Sequence, residues 1–332
     1  MASVGELFIL GFRGPTVPQW LCDFAKVHSL GGVILFDYDV QTKTYRNNVE
    51  SRDQLEQLCR EIHALPSRPL IYIDQEGGKV RRLKEGLGFA PLPSAKEFAP
   101  LSGMKKRELL MRSLRELKEI GIDVDLAPVA DLDINPLNPD IGAIGRSFSS
   151  SLDVVRENIA LWSEIAAEVN LGLCLKHFPG LGSATTNSHV ELTDLTGTIT
   201  EAQLKLFREE APKIPGNSIL VSHGLVNDWD PGVPVSMSFP VLQNLRSHLP
   251  NTLFVSDDLQ MQGLQARFSS VEGVIRGVGA GLDAVILGNN LLDEQQELSD
   301  YAEALKKEIA SDRLLAKRVE ESVARVVLRK AR

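Results

Sequence analysis

At 332 residues, with 43% hydrophobic and 24% charged side chains, the chain has the material for a sizeable globular core. A formal net charge of -8 excludes the basic profile of a nucleic-acid binder, and no apolar run approaches the length of a membrane span. The opening residues lack the basic-then-apolar pattern of a signal peptide, and Cys22, Cys59 and Cys174 show neither CxxC nor metal-ligand spacing, so they read as small core residues of a cytoplasmic protein.

The chain opens on a short apolar run, Leu7–Leu10, followed by helical periodicity over Val17–His28. The same alternation then recurs. Gly32–Phe36 precedes the helical pattern Ser51–Ala64, Leu70–Ile73 precedes Lys105–Ile120, and Ile122–Ala127 precedes Leu152–Asn170. Gly172–Leu175 leads to Glu201–Ile214, Ser218–Val221 to Pro240–Leu249, and Leu253–Val255 to Val271–Ala280. Asp283–Leu287 is followed by a helical tail, Leu292–Ala331, read as two helices.

The runs are continuously apolar, as strands buried on both faces must be. Eight such strands alternating with helices predict an α/β protein of the (β/α)8 TIM-barrel type. No repeat, low-complexity tract or Pro/Ser-rich linker divides residues 1–332, so one barrel domain is expected. A doubly wound sheet would need a Gly-rich phosphate turn, and Gly11-Phe12-Arg13-Gly14 lacks the GxGxxG spacing.

A barrel enzyme carries its chemistry at the C-terminal ends of its strands. The predicted strands deliver Asp37, Asp74, Asp131, Lys176-His177, His223 and Asp257-Asp258 to those ends, with Arg146 on the loop after the fourth. Asp74 can accept two sugar hydroxyls above the turn Gly77-Gly78. Either Arg81 or Arg82 could reach back towards it, and spacing does not choose between them. Arg146, beside Phe148, suits a planar carboxylate or amide. Lys176 is either a Schiff-base amine or a hydrogen-bond donor, while strand alternation points His177 the other way. Asp257 is a candidate nucleophile or base, and alternation sends its competitor Asp258 to the opposite side. The six histidines form neither HxH nor HExxH, and no Gly-x-Ser-x-Gly elbow occurs, so no metal or other cofactor is expected.

Gly31-Gly32-Val33-Ile34-Leu35-Phe36, Ile73-Asp74-Gln75-Glu76-Gly77-Gly78, Ala127-Pro128-Val129-Ala130-Asp131, Arg146-Ser147-Phe148, Lys176-His177-Phe178-Pro179-Gly180, Ser256-Asp257-Asp258-Leu259 and Gly281-Leu282-Asp283 with Asn289-Asn290 run in this order over nearly the whole chain. In this the chain resembles glycoside hydrolase family 3, in its single-domain β-N-acetylglucosaminidase branch that acts in bacterial peptidoglycan recycling. The resemblance implies retaining removal of terminal β-linked N-acetylglucosamine from muropeptide-like saccharides, a small carbohydrate partner, and no nucleic acid or membrane. It implies Asp257 as the nucleophile that forms a covalent glycosyl-aspartate. Asp74, Arg82, Arg146, Lys176 and His177 match the sugar-binding groups, and His189 matches the acid/base on the loop after the fifth strand. Arg82 is thereby preferred to Arg81, and sugar binding to the Schiff base.

The same loop departs from the family pattern. Leu181 stands where a histidine is usual, and Asn187 where the aspartate partner of the acid/base is usual. Asn187 can accept an N–H from His189, but it cannot offset an imidazolium charge. The corresponding Asp→Asn change in a serine-protease triad costs about 10⁴ in turnover. Smaller departures are Lys79, Ser149 and Asp37-Tyr38-Asp39. Two other readings stay open on these grounds. One is a catalytically weakened barrel that binds amino sugars as a sensor or scaffold. The other is a β-glycosidase or phosphorylase of altered specificity, since a histidine acid/base, unlike a glutamate, does not repel an incoming anion.

Overall fold

A computed structural model describes residues 3–188 and 190–331. Eight parallel strands close into a barrel. They are β1 (Phe8–Leu10), β2 (Gly32–Leu35), β3 (Leu70–Ile73), β4 (Val124–Asp125), β5 (Gly172–Phe178), β6 (Ser218–Val221), β7 (Leu253–Asp258) and β8 (Ala284–Leu287). Each pairs with its sequence neighbours, and β1 closes the ring against β8, with Phe8 opposite Val285 and Leu10 opposite Leu287. The doubly wound alternative is thereby excluded.

Alternate strand residues serve two separate cores. Ile9, Ile34, Tyr72, Leu220 and Ile286 fill the barrel interior. Phe8, Leu10, Val33, Leu35 and Phe254 face outwards into the layer beneath the helices.

Besides two single-turn helices at Ala95–Phe98 and Gln262–Gln265, the helices among the described residues are α1 (Gln19–His28), α2 (Arg52–His63), α3 (Gly103–Ile120), α4 (Leu152–Val169), α5 (Glu201–Glu210), α6 (Phe239–His248), α7 (Ser270–Ala280), α8 (Leu298–Ser311) and α9 (Arg313–Lys330). Their starts are written in the sequence. Ser51 caps α2, and Thr200 with Gln203 and Ser269 with Glu272 form capping boxes on α5 and α7. Asp312 ends α8 and caps α9, dividing the tail into the two expected helices. The pattern over Glu201–Ile214 is cut short at Glu210, because Pro212 has no N–H to continue the ladder.

The last helix lies across the N-terminal end of the barrel. Val326 joins the interior core. Arg329 donates to the Asn251 carbonyl at 2.8 Å, just ahead of β7. Lys330 donates to Glu6 Oε2 at 2.6 Å and to the Leu30 carbonyl at 3.0 Å, ahead of β1 and β2. Asp283, fully buried below β8, gathers the rest. It accepts from Arg246 Nη2 at 2.6 Å, Arg325 Nε at 2.9 Å, Ser322 Oγ at 2.8 Å and the Phe254 N–H at 2.9 Å.

Removing one partner of such a buried charge cluster leaves the others uncompensated. Asp283→Ala is expected to lower stability by about 3–5 kcal/mol, read as a fall in the urea midpoint with an unchanged slope.

Candidate active site

The opposite, C-terminal end of the barrel opens into a cavity of about 330 Å³. Asp74, Arg82, Arg146, Lys176, His177 and Asp257 all line it, together with Ser188. Asn187 is exposed, and its carbonyl receives the N–H groups of Val190 and Glu191. His189 lies outside the described residues.

The first part of the site comes from the chain after β3. Asp74 follows the strand directly and Glu76 is two residues on, so an extended chain turns both carboxylates the same way. Gln75–Gly77 then pairs antiparallel with Val80–Arg81 as a short hairpin. Its turn presses on the segment after it, where a side chain at Gly77 (φ 101°) would meet the Pro93 carbonyl at 2.2 Å. The Gln75 side chain accepts the N–H groups of Arg82 and Leu83, both at 3.0 Å, which fixes where Arg82 leaves the hairpin. Arg82 reaches back to Asp74 Oδ2 at 2.7 Å, whereas Arg81 turns away to Glu85 at 2.7 Å.

The second part comes from β5 and corrects the alternation rule. Lys176 and His177 are consecutive, yet both face the cavity, because the pairing register shifts between Leu175 and Phe178. Lys176 Nζ donates to Asp74 Oδ1 at 2.7 Å and pairs with Glu76 Oε1 at 2.6 Å. The Arg146 guanidinium grips Glu76 in a two-pronged pair, both bonds 2.7 Å. Its Nη2 also lies 3.0 Å from His177 Nε2. A guanidinium only donates, so Nε2 accepts, and the other nitrogen, Nδ1, donates to Asp131 Oδ2 at 2.6 Å. Asp131 in turn accepts the Leu181 N–H at 2.7 Å, which sets the start of the next loop.

Charges in this network hold one another. Burial alone would raise the Asp74 carboxyl, but Lys176 and Arg82 outweigh it and keep the group well below the usual carboxylate range. Burial likewise opposes ionisation of Glu76, and Arg146 and Lys176 bring it down to about 2. Lys176 is pushed the opposite way. Desolvation would lower its pKa, but Asp74 and Glu76 raise it, so it stays an ammonium donor and not the neutral amine a Schiff base requires.

Alternation is relaxed again at the end of β7. Asp257 and Asp258 both touch the cavity, but Asp258 is bound to backbone, accepting the N–H groups of Gln260 at 3.0 Å and Gly288 at 3.3 Å. Burial lifts its pKa to about 7, so near neutrality it is only partly ionised beside Asp257. His223 stands apart as a structural group, bonded to Ser236 Oγ at 2.7 Å and the Asp258 carbonyl at 3.1 Å.

Residue reading alone assigned no role to Glu76, although it is the meeting point of Arg146 and Lys176. The available signal was its i, i+2 spacing from Asp74. Among the described residues, no group of His, Cys, Asp and Glu has the geometry to hold a metal ion.

A family model described as the glycosyl hydrolase family 3 N terminal domain matches residues 16–328. A beta-hexosaminidase of Idiomarina loihiensis is 30% identical over 292 residues, covering 85% of this chain and 83% of that protein. A fungal multi-domain GH3 beta-N-acetylglucosaminidase superposes with a TM-score of 0.87 at 26% identity, covering 99% of this chain, which spans 39% of that protein. The fold is also that of the beta-N-acetylhexosaminidase from Beutenbergia cavernae, with a TM-score of 0.84 at 24% identity over 100% of this chain and 98% of the other.

The depressed Glu76 carboxyl links the site to acid stability. The fold favours its ionised form, so its contribution is fully present above the ordinary pKa of 4.5 and is lost as pH falls towards about 2. Between those limits, Glu76→Gln is expected to show a shallower loss of urea midpoint than the parent chain.

Proposed function

Because the chain belongs to glycosyl hydrolase family 3, we propose that it removes terminal β-linked N-acetylglucosamine from muropeptide-like saccharides with retention of configuration. The observation that carries this reading is the closed charge network around one small cavity with Asp257 on its wall. A cavity of about 330 Å³ is at the lower end for ligand sites, which suits one sugar ring held from above.

In this reading Asp74 accepts ring hydroxyls while Arg82 and Lys176 keep it ionised and aimed. Lys176 carries three donors, of which Asp74 and Glu76 take two, and the third addresses a sugar oxygen. The side chains are fixed by each other before any sugar enters, so little rotamer entropy is left to lose on binding. Asp257 attacks the anomeric carbon, the glycosidic bond breaks, and the departing oxygen takes a proton from His189. Water then attacks the glycosyl-aspartate as His189 takes a proton back, releasing sugar and free Asp257. The muropeptide aglycone, the cytoplasmic setting and a single catalytic domain are parts of the same proposal and rest on the resemblance of the motifs.

One observation favours the sensor or scaffold reading. Leu181, in the place usual for a histidine, is 3% exposed and presents an apolar wall to the cavity.

The two readings separate on turnover. A 4-nitrophenyl N-acetyl-β-glucosaminide and a β-linked N-acetylglucosamine disaccharide should both be hydrolysed, and Asp257→Ala should lower turnover by at least ~10³-fold with sugar binding retained. Sugar binding without hydrolysis of either substrate would instead support the sensor.

A further inference from the structure

We propose that Tyr38 and Tyr45, on the loop after β2, form an aromatic platform for a second sugar ring, so that the chain favours substrates at least two sugars long. The inference rests on the reading above, in which the cavity holds one N-acetylglucosamine, and names what receives the next unit.

The segment Asp37-Tyr38-Asp39 leaves β2 with its side chains alternating. Tyr38 lines the cavity, while Asp37 meets Lys84 Nζ at 3.4 Å and Asp39 meets Arg13 Nη2 at 2.8 Å. Asp39 then makes the turn. Its Oδ1 accepts the N–H groups of Gln41 at 2.9 Å and Thr42 at 3.0 Å, and its backbone pairs with that of Thr44 in an antiparallel bridge. The bridge returns the chain so that Tyr45 packs on Tyr38, their ring centres 4.9 Å apart and their planes at 59°.

Tyr45 is 70% exposed, the most exposed aromatic side chain among the described residues. The wall of the cavity is thus continued outwards, through Tyr38, by a ring that stands mostly in water. That surface suits a sugar. A pyranose carries apolar C–H groups on its faces, and their partial positive charge is matched by the negative face of an aromatic ring. Its hydroxyls lie round the edge. Lys84 Nζ, 5.9 Å from the centre of the Tyr45 ring, offers donors to such an edge.

The loop also lies on the side where a second sugar is expected. Asp74 and Arg82 follow β3, and Lys176 and His177 lie on β5, so ring hydroxyls are claimed from that half of the mouth. The glycosidic end then points to the other half, where Asp257 stands on β7. β1 is opposite β5 in the ring, and the loop after β2 leans across β1 to the segment after β8. The Tyr38 carbonyl accepts Asn290 Nδ2 at 2.9 Å, and the Val40 N–H donates to Asn290 Oδ1 at 3.1 Å. Gln41 Nε2 donates to the Leu291 carbonyl at 2.9 Å. These bonds hold the platform in place before a saccharide arrives, which leaves less order to impose on binding.

Calorimetric titration in the Asp257→Ala background tests this, because saccharides bind there without being cleaved. Tyr45→Ala should weaken binding of the β-linked N-acetylglucosamine disaccharide by about 5- to 10-fold, while N-acetylglucosamine itself changes less than about 2-fold. Tyr45→Phe should keep the disaccharide affinity within about 2-fold, since the ring and not the hydroxyl makes the contact. With Asp257 restored, Tyr45→Ala should raise the disaccharide KM by the same factor as the affinity loss and leave kcat within about 2-fold. The Tyr45 side chain is mostly in water, so neither replacement removes core packing. Unchanged disaccharide affinity in Tyr45→Ala overturns the proposal, as does an equal loss for both sugars or a Tyr45→Phe variant as weak as Tyr45→Ala. A chain that binds neither sugar overturns the glycosidase reading together with this one. Disaccharide hydrolysis with an affinity indifferent to Tyr45→Ala overturns this one alone. Disaccharide binding that depends on Tyr45, in a parent chain that hydrolyses nothing, supports the platform and overturns the glycosidase.

Discussion

Two ionised carboxylates, Asp74 and Glu76, sit buried or nearly so above an apolar barrel interior, and everything at that end of the molecule follows from keeping them charged. Lys176 bridges the pair, Arg82 closes on one and Arg146 on the other. Isolated carboxylates there would take up protons and lose their use as acceptors. Instead, the chain after β3 supplies both carboxylates and Arg82, β5 supplies Lys176 and the loop after β4 supplies Arg146, so the network is complete only when the three are packed together. Tertiary structure and electrostatics are thus one constraint. His177 and Asp131 extend it by fixing an imidazole between a donor and an acceptor, and Asp131 passes the constraint on to the loop after β5.

The two ends of the barrel use buried charge for different ends. Below, Asp283 is saturated by two arginines, a serine and a backbone amide, which leaves nothing for a ligand and turns the cluster into a rivet for α9. Above, Lys176 and Asp74 retain capacity beyond the bonds they make to each other. The same physical device gives stability at one end and a preorganised polar cavity at the other.

Much of the barrel was legible because parallel strands buried on both faces must be unbroken apolar runs, and the eight found this way are the eight observed. Their ends were less legible. Alternation predicted that Lys176 and His177 would part company, as would Asp257 and Asp258, because it assumes regular pairing. The shift of register after Leu175 breaks that assumption, and no residue type announces it. Arg81 and Arg82 were indistinguishable by pattern, since the choice is made by a Gln75 side chain folded back on the hairpin. Glu76 looked like any solvated glutamate.

Closure of the ring by β1 and β8 has a kinetic side. Phe8 pairs with Val285, so almost the whole chain must be made before the first strand finds its second neighbour. At cellular elongation rates the wait is on the order of tens of seconds. Throughout it, one side of β1 is an open edge of the kind that recruits strands from other molecules. The strand is only Phe8–Leu10, too short to template a stable foreign pairing. Brevity at the seam protects the nascent chain for as long as its proper partner is still unmade.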